Sequence, residues 1–244
     1  MLDATAVAEN RHFWFKGLRR SARVLLMQSL AGRTPQLILD CGSGTGRNLD
    51  WLSTIGPAVG VELSTTGLAH GRRLGRRLVR GTVTALPFAD NSVDVATSFD
   101  VLYSLGDADE QLALQEMHRV LRPGGVALFN LAALDSLRGS HSVLTHERRR
   151  YTPGRIRTRL AHAGFAVDRL TFTNTSILPI AWSVRLLERL TGRAGTASTS
   201  DLAVPAAPVN AAFNAMLSLE AAWLRLGNLP IGSSILAVGR KQSS

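Results

Sequence analysis

The chain of 244 residues with 45% apolar side chains is long enough for one large domain, whose core would bury roughly three quarters of the unfolded surface. Its net charge of +10 is carried almost wholly by arginine, the only lysines being Lys16 and Lys241. Such a surface attracts acidic small molecules, anionic headgroups or nucleic acid, yet no basic module with interleaved aromatics favours nucleic acid. No apolar run reaches the roughly 18 residues of a membrane span, and the first residues lack a basic-then-apolar leader pattern. The single cysteine, Cys41, cannot form an intramolecular disulfide, and the 6 histidines show no metal-ligand spacing. A cytoplasmic protein that needs no metal is expected.

Apolar residues at helical spacing, Leu18, Ala22, Leu25, Leu26 and Leu30, predict a helix from about Asp3 to Ala31 within an N-terminal lid of residues 1–35. Strand one follows at Gln36 to Asp40, a helix at Gly46 to Ile55, strand two at Ala58 to Glu62, and a helix at Thr65 to Arg77 capped by Ser64. The short Leu78 to Arg80 reads as strand three, Ser92 to Ser98 as strand four, Asp109 to Leu121 as a helix, and Val126 to Leu131 as strand five. Thr152-Pro153 opens the next helix, Gly164 ends it, and Phe165 to Phe172 forms strand six. Two helical segments, Leu178 to Leu190 and Asn210 to Leu226, flank the low-complexity Gly192 to Ser200, before a last strand at Ser234 to Gly239. This alternation predicts a parallel sheet covered by helices. The division is one domain over 1–244, with a ligand-binding core at 36–131 and a second half at 132–244 carrying a helical insertion near 177–226.

The densest chemical signal is Leu37-Ile38-Leu39-Asp40-Cys41-Gly42-Ser43-Gly44-Thr45-Gly46-Arg47, a buried strand turning through three alternate glycines into a helix. Such a turn brings backbone N–H groups against a polar or anionic ligand, and side chains at Gly42, Gly44 or Gly46 would fill the ligand's space. Arg47 stands where a dinucleotide fingerprint has its third glycine, and no Walker-type lysine follows. Glu62, at the end of strand two, stands where a doubly wound fold sets a carboxylate against ribose hydroxyls.

With Asp40 before the glycine turn, the chain resembles the class I S-adenosylmethionine-dependent methyltransferases, in their small-molecule, type 11-like group. Two further blocks carry the likeness: Ala85 to Val95, similar to the adenine-side loop entering strand four, and Glu116 to Gly125, similar to the helix and turn before strand five. The resemblance implies an α/β, Rossmann-like fold with a seven-stranded, mostly parallel sheet, an antiparallel last strand beside strand six, and helices on both faces. It implies S-adenosyl-L-methionine as cofactor and methyl transfer to an O, N or C nucleophile of a small molecule, such as a secondary metabolite. Alternatives left open are a regulatory protein that binds the cofactor without transfer, a transferase acting on a lipid or nucleic acid, and a nicotinamide-dependent oxidoreductase.

The cofactor residues implied by the resemblance are Arg19, Asp40, Gly42, Ser43, Gly44, Gly46, Glu62, Leu63, Thr82, Val83 and Phe99. Thr82 stands near where the family often has an acid, and its hydroxyl can still accept a hydrogen bond. Tyr103, where a histidine often stands in the family, can orient an acceptor oxygen or take a proton, or simply pack; Asp100 poses the same choice. His141 and His146 are candidate general bases above the carboxyl ends of the strands, where open sheets bind ligands. Candidate substrate contacts are His12 and Trp14 in the aromatic cluster His12-Phe13-Trp14-Phe15, together with Tyr103, Arg149 and Tyr151. The expected substrate is acidic or hydrophobic, and the apolar helix Leu178 to Leu190 is read as a pocket wall, a membrane-lying helix, a homodimer face or simple packing.

Overall fold

Seven strands, β1 (Ile38–Cys41), β2 (Ala58–Glu62), β3 (Leu78–Arg80), β4 (Val93–Phe99), β5 (Leu121–Ala132), β6 (Phe165–Thr173) and β7 (Ser234–Lys241), form one sheet in the order β3-β2-β1-β4-β5-β7-β6. The computed structural model describes residues 9–138, 147–190 and 204–243. Pairing is parallel from β3 through β5, and β7 lies antiparallel between β5 and β6. The helices are α1 (Phe13–Leu30), α2 (Leu49–Leu52), α3 (Thr65–Arg73), α4 (Asp107–Val120), α5 (Pro153–His162), α6 (Leu178–Leu190) and α7 (Ala207–Trp223).

Strand periodicity splits the core into two layers. Leu39, Ala127, Phe129 and Ile235 pack on one face of the sheet, whereas Ile38, Val95, Leu128 and Leu236 pack on the other, beneath α1 and α2. The predicted stripe of α1 is the buried one: Leu18, Ala22, Leu25, Leu26 and Leu30 all face the second layer. His12 caps this helix by accepting a hydrogen bond from the Trp14 N–H at 3.2 Å, and Ala31 ends it in the left-handed conformation. The part of the expected helix before residue 9 lies outside the described residues.

The expected helix from Gly46 to Ile55 is reduced to the single turn α2, because Gly46 is left-handed at φ 75° and the backbone after Leu52 bonds in tight turns. Gly75, left-handed at φ 68°, follows α3 and stops it at Arg73, short of the expected Arg77. Pro208 in the first turn starts α7 at Ala207, ahead of the expected Asn210. α1 and α7 lie so close that a Cβ on Gly17 would stand 2.4 Å from Leu217 Cδ1. Glycine is what permits this crossing.

Candidate functional site

From β1 the chain passes to β2 on one side, whereas its other neighbour is β4, with Asp40 opposite Thr97. Connections leaving in opposite directions open a crevice at the carboxyl ends of β1 and β4, and the glycine turn stands there. Gly42, Gly44 and Gly46 have φ of 75°, 57° and 75°. A Cβ on Gly42 would lie 2.5 Å from Val101 Cγ2, so the segment after β4 abuts the turn directly.

Asp40 is buried beneath this turn. Its Oδ1 accepts a hydrogen bond from the Thr97 hydroxyl at 2.6 Å, and the Asn48 side chain also stands against the buried carboxyl. Burial pushes the Asp40 carboxyl up to about 7, opposed by hydrogen bonds from Thr97 and Asn48 and reinforced by the nearby Glu62 carboxylate. A buried carboxylate next to a glycine cradle suits a ligand that brings a donor or a positive charge. Glu62 accepts the Gly44 N–H and the Ser64 N–H, both at 2.7 Å. It therefore pins the glycine turn to the start of α3, and each oxygen keeps a lone pair for a hydroxyl. Leu63 is 63% exposed at this rim, while Ser43 is buried and bonded to the Val61 carbonyl. These residues fit S-adenosylmethionine.

Thr82 and Val83 stand in the turn after β3, with the Thr82 hydroxyl 2.9 Å from that of Thr84. Phe99 packs edge-on to Trp51, with ring centroids 6.3 Å apart. Arg19 donates to the Glu9 carbonyl at 2.7 Å; burial first, then the neighbouring Arg47 guanidinium, lower its pKa to about 10. The Glu9 carboxylate in turn accepts from the Thr45 hydroxyl at 2.8 Å, inside the glycine turn. Glu9 is thus an acid on the glycine turn that sequence reasoning missed, since no local pattern marks it.

Beyond β4, Asp100 adopts a left-handed φ of 60°, a strained conformation of the kind that clusters at functional sites. Its Oδ1 accepts from Asn130 Nδ2 at 2.8 Å, and the buried Asn130 Oδ1 has no partner. Burial raises Asp100 to about 7, with the Asn130 hydrogen bond opposing the rise. Asn130 was also missed, although a polar residue inside the apolar Val126 to Leu131 run was the available signal. Tyr103 is buried just after Asp100, and its carbonyl accepts the Arg148 N–H at 2.9 Å. His12 is buried and stacks on Phe13 with centroids 4.5 Å apart, and Trp14 is half-buried in the first turn of α1.

Arg149 and Tyr151, expected at the substrate, are bonded to the acid of α4. Tyr151 is buried and donates its hydroxyl to Glu110 Oε1 at 2.8 Å, and Arg149 donates to Glu110 Oε2 at 2.7 Å. Arg155 joins them at 2.9 Å. Glu110, fully buried on α4, needs these cations and fastens α4 to α5. A buried carboxylate takes the nearest donors. His141 and His146 lie outside the described residues.

Residues 39–129 match the family model for a methyltransferase domain. The chain is 35% identical over 122 residues to malonyl-[acyl-carrier protein] O-methyltransferase 1 of Coxiella burnetii, covering 49% of this chain and 42% of that protein. It is 36% identical over 113 residues to the demethylmenaquinone methyltransferase of Beutenbergia cavernae, covering 45% and 46% respectively. The chain thus spans less than half the length of either relative. Among solved structures, a SAM-dependent methyltransferase of Thermotoga maritima superposes with a TM-score of 0.60 at 16% identity, over 98% of this chain and 94% of that one. Phosphoethanolamine N-methyltransferase 2 of Haemonchus contortus, in complex with S-adenosyl-L-methionine, gives 0.57 at 18% identity, over 91% and 52%. These two likenesses concern the fold.

Proposed function

We propose, for a chain that belongs to the class I S-adenosylmethionine-dependent methyltransferases, that it moves a methyl group from this cofactor to an O, N or C nucleophile of a small molecule in the cytoplasm. The observation that carries the reading is Asp40, a carboxyl buried under the glycine turn beside Glu62.

The cofactor supplies an electrophilic methyl group on a sulfonium. In this reading Gly42, Ser43, Gly44 and Gly46 bind it through the turn, Asp40 and Arg19 hold its methionyl end, Glu62 its ribose, and Leu63, Thr82 and Val83 its adenine. Phe99 closes the site from β4. Transfer needs little covalent help from the protein, since aligning the reactants can account for several kcal/mol. Proton removal from the acceptor is assigned to His146, with His141 second, and Tyr103 orients an acceptor oxygen; His12 and Trp14 wall the acceptor side. A second base is favoured by geometry: Asp100, held by Asn130 and raised to about 7, accepts protons at neutral pH. The acceptor is acidic or hydrophobic, in line with the basic surface.

Calorimetric titration with S-adenosylmethionine, its demethylated product and a dinucleotide control tests the cofactor. Binding of the sulfonium and of its thioether product, but not of the dinucleotide, is expected, and preference for the dinucleotide would overturn the reading. Glu62→Ala should weaken binding by about 1–3 kcal/mol. Once an acceptor is found by screening, His146→Ala and Asp100→Asn separate the two bases: the true base slows transfer without changing cofactor affinity.

A further inference from the structure

The solvent face of α7 reverses the ordinary pattern of a surface helix. Ala211, Ala212, Ala215, Leu219, Ala222 and Trp223 are exposed along it, while its one charged residue, Glu220, is buried. Leu219 is 74% exposed, Trp223 54%, and Leu226, just past the helix, 83%. Glu220 faces inward because it accepts the backbone N–H groups of Asn174 and Ser176 and the Ser176 hydroxyl. That bond set ties α7 to the start of α6, which itself exposes Trp182, Leu186 and Leu190. A helix with an apolar outer face of this extent marks a docking surface.

Charge decides what covers it. Arg225 is exposed at the end of α7, and Arg20 donates to Asn214 Oδ1 at 2.6 Å on its flank. The Arg20 and Arg225 guanidinium groups therefore edge the apolar strip, and residues 204–231 contain no acid except the buried Glu220. A second copy of a chain with net charge +10 would meet this rim with like charge, whereas an anionic bilayer meets it with opposite charge. Two of the chain's 4 tryptophans, Trp182 and Trp223, are exposed on these helices, the residue type that settles at headgroup level. No helix among the described residues is long and apolar enough to cross a membrane.

We propose that α7 lies on the surface of an anionic membrane, its Leu219–Trp223–Leu226 face inserted among the headgroups and its arginine rim on the lipid phosphates. On its inner side α7 meets the start of α1, where the Phe213 ring packs at a tilt against Phe13 with centroids 4.9 Å apart. The attachment is peripheral and reversible, with apolar burial and electrostatic attraction both contributing.

The test is flotation of the purified chain with vesicles of phosphatidylcholine containing phosphatidylglycerol, against pure phosphatidylcholine, at low and high salt. Binding to the anionic vesicles that weakens with salt is expected, and the double variant Leu219→Glu/Leu226→Glu should reduce it roughly tenfold or more. Both positions are exposed, so folding should survive, which circular dichroism checks. Trp223 fluorescence should be quenched by brominated lipid. Absence of binding, or binding indifferent to the double variant, overturns the proposal. A monomer–dimer equilibrium abolished by the same variant, without vesicle binding, gives the face to a second copy instead.

Discussion

Asp40 couples the site to the stability of the whole protein. Its folded pKa of about 7 lies above the reference 3.8, so between those values the folded state holds more protons than the unfolded state. Stability from this group is therefore greatest in acid, falls as pH rises toward 7, and is fully lost above it, at a cost of at most about 4 kcal/mol. Asp100, with a pKa of about 7, acts in the same window. Asp40→Asn, which can still accept the Thr97 hydrogen bond, should flatten the decline in melting temperature between acid and mildly alkaline pH and raise its alkaline end, while weakening cofactor binding. Thermal melts across pH check the first effect and calorimetry the second. At Gly42 the constraint is steric: Gly42→Ala places a methyl 2.5 Å from Val101 Cγ2 at φ 75°. It should cost about 1–3 kcal/mol and reduce cofactor affinity, measured by denaturant unfolding and titration.

Among the elements, the helices are fixed by single buried acids and one close crossing. Glu110→Gln leaves Arg149, Arg155 and Tyr151 around a neutral group, and loss of roughly 3–5 kcal/mol is expected in urea unfolding. Survival of full stability would show that the cluster is solvated after all. Glu220→Ala strands the N–H groups of Asn174 and Ser176 at the start of α6; about 1–3 kcal/mol should be lost. Hydrogen exchange of those amides should quicken before that of the sheet. Gly17→Leu drives a side chain into Leu217 at the α1–α7 crossing and should cost about 1–3 kcal/mol, visible as a lower melting temperature.

Across the whole molecule, what was legible in the sequence was local or periodic. The glycine turn, Glu62 after β2 and the buried stripe of α1 could be read because each is encoded within a few residues. The sheet order followed from resemblance, and β7 takes the expected place beside β6. Glu9 against Thr45, Asn130 against Asp100, and Tyr151 turned to Glu110 join residues 30 to 41 positions apart or on separate elements, so no short window contains them. Helix ends failed for a related reason, since Gly46 and Gly75 owe their backbone angles to the turns they close. The position of β7 has one more consequence, which concerns order in time. β6 touches the rest of the sheet only through β7, the last strand in the chain. During synthesis β1 through β5 can assemble while the later half is still being made, whereas β6 must wait, its edge unpaired, until residues 234–241 have emerged. The strand then has to enter between two others, a long-range closure of the kind that slows folding and leaves sheet edges open to wrong partners until it is made.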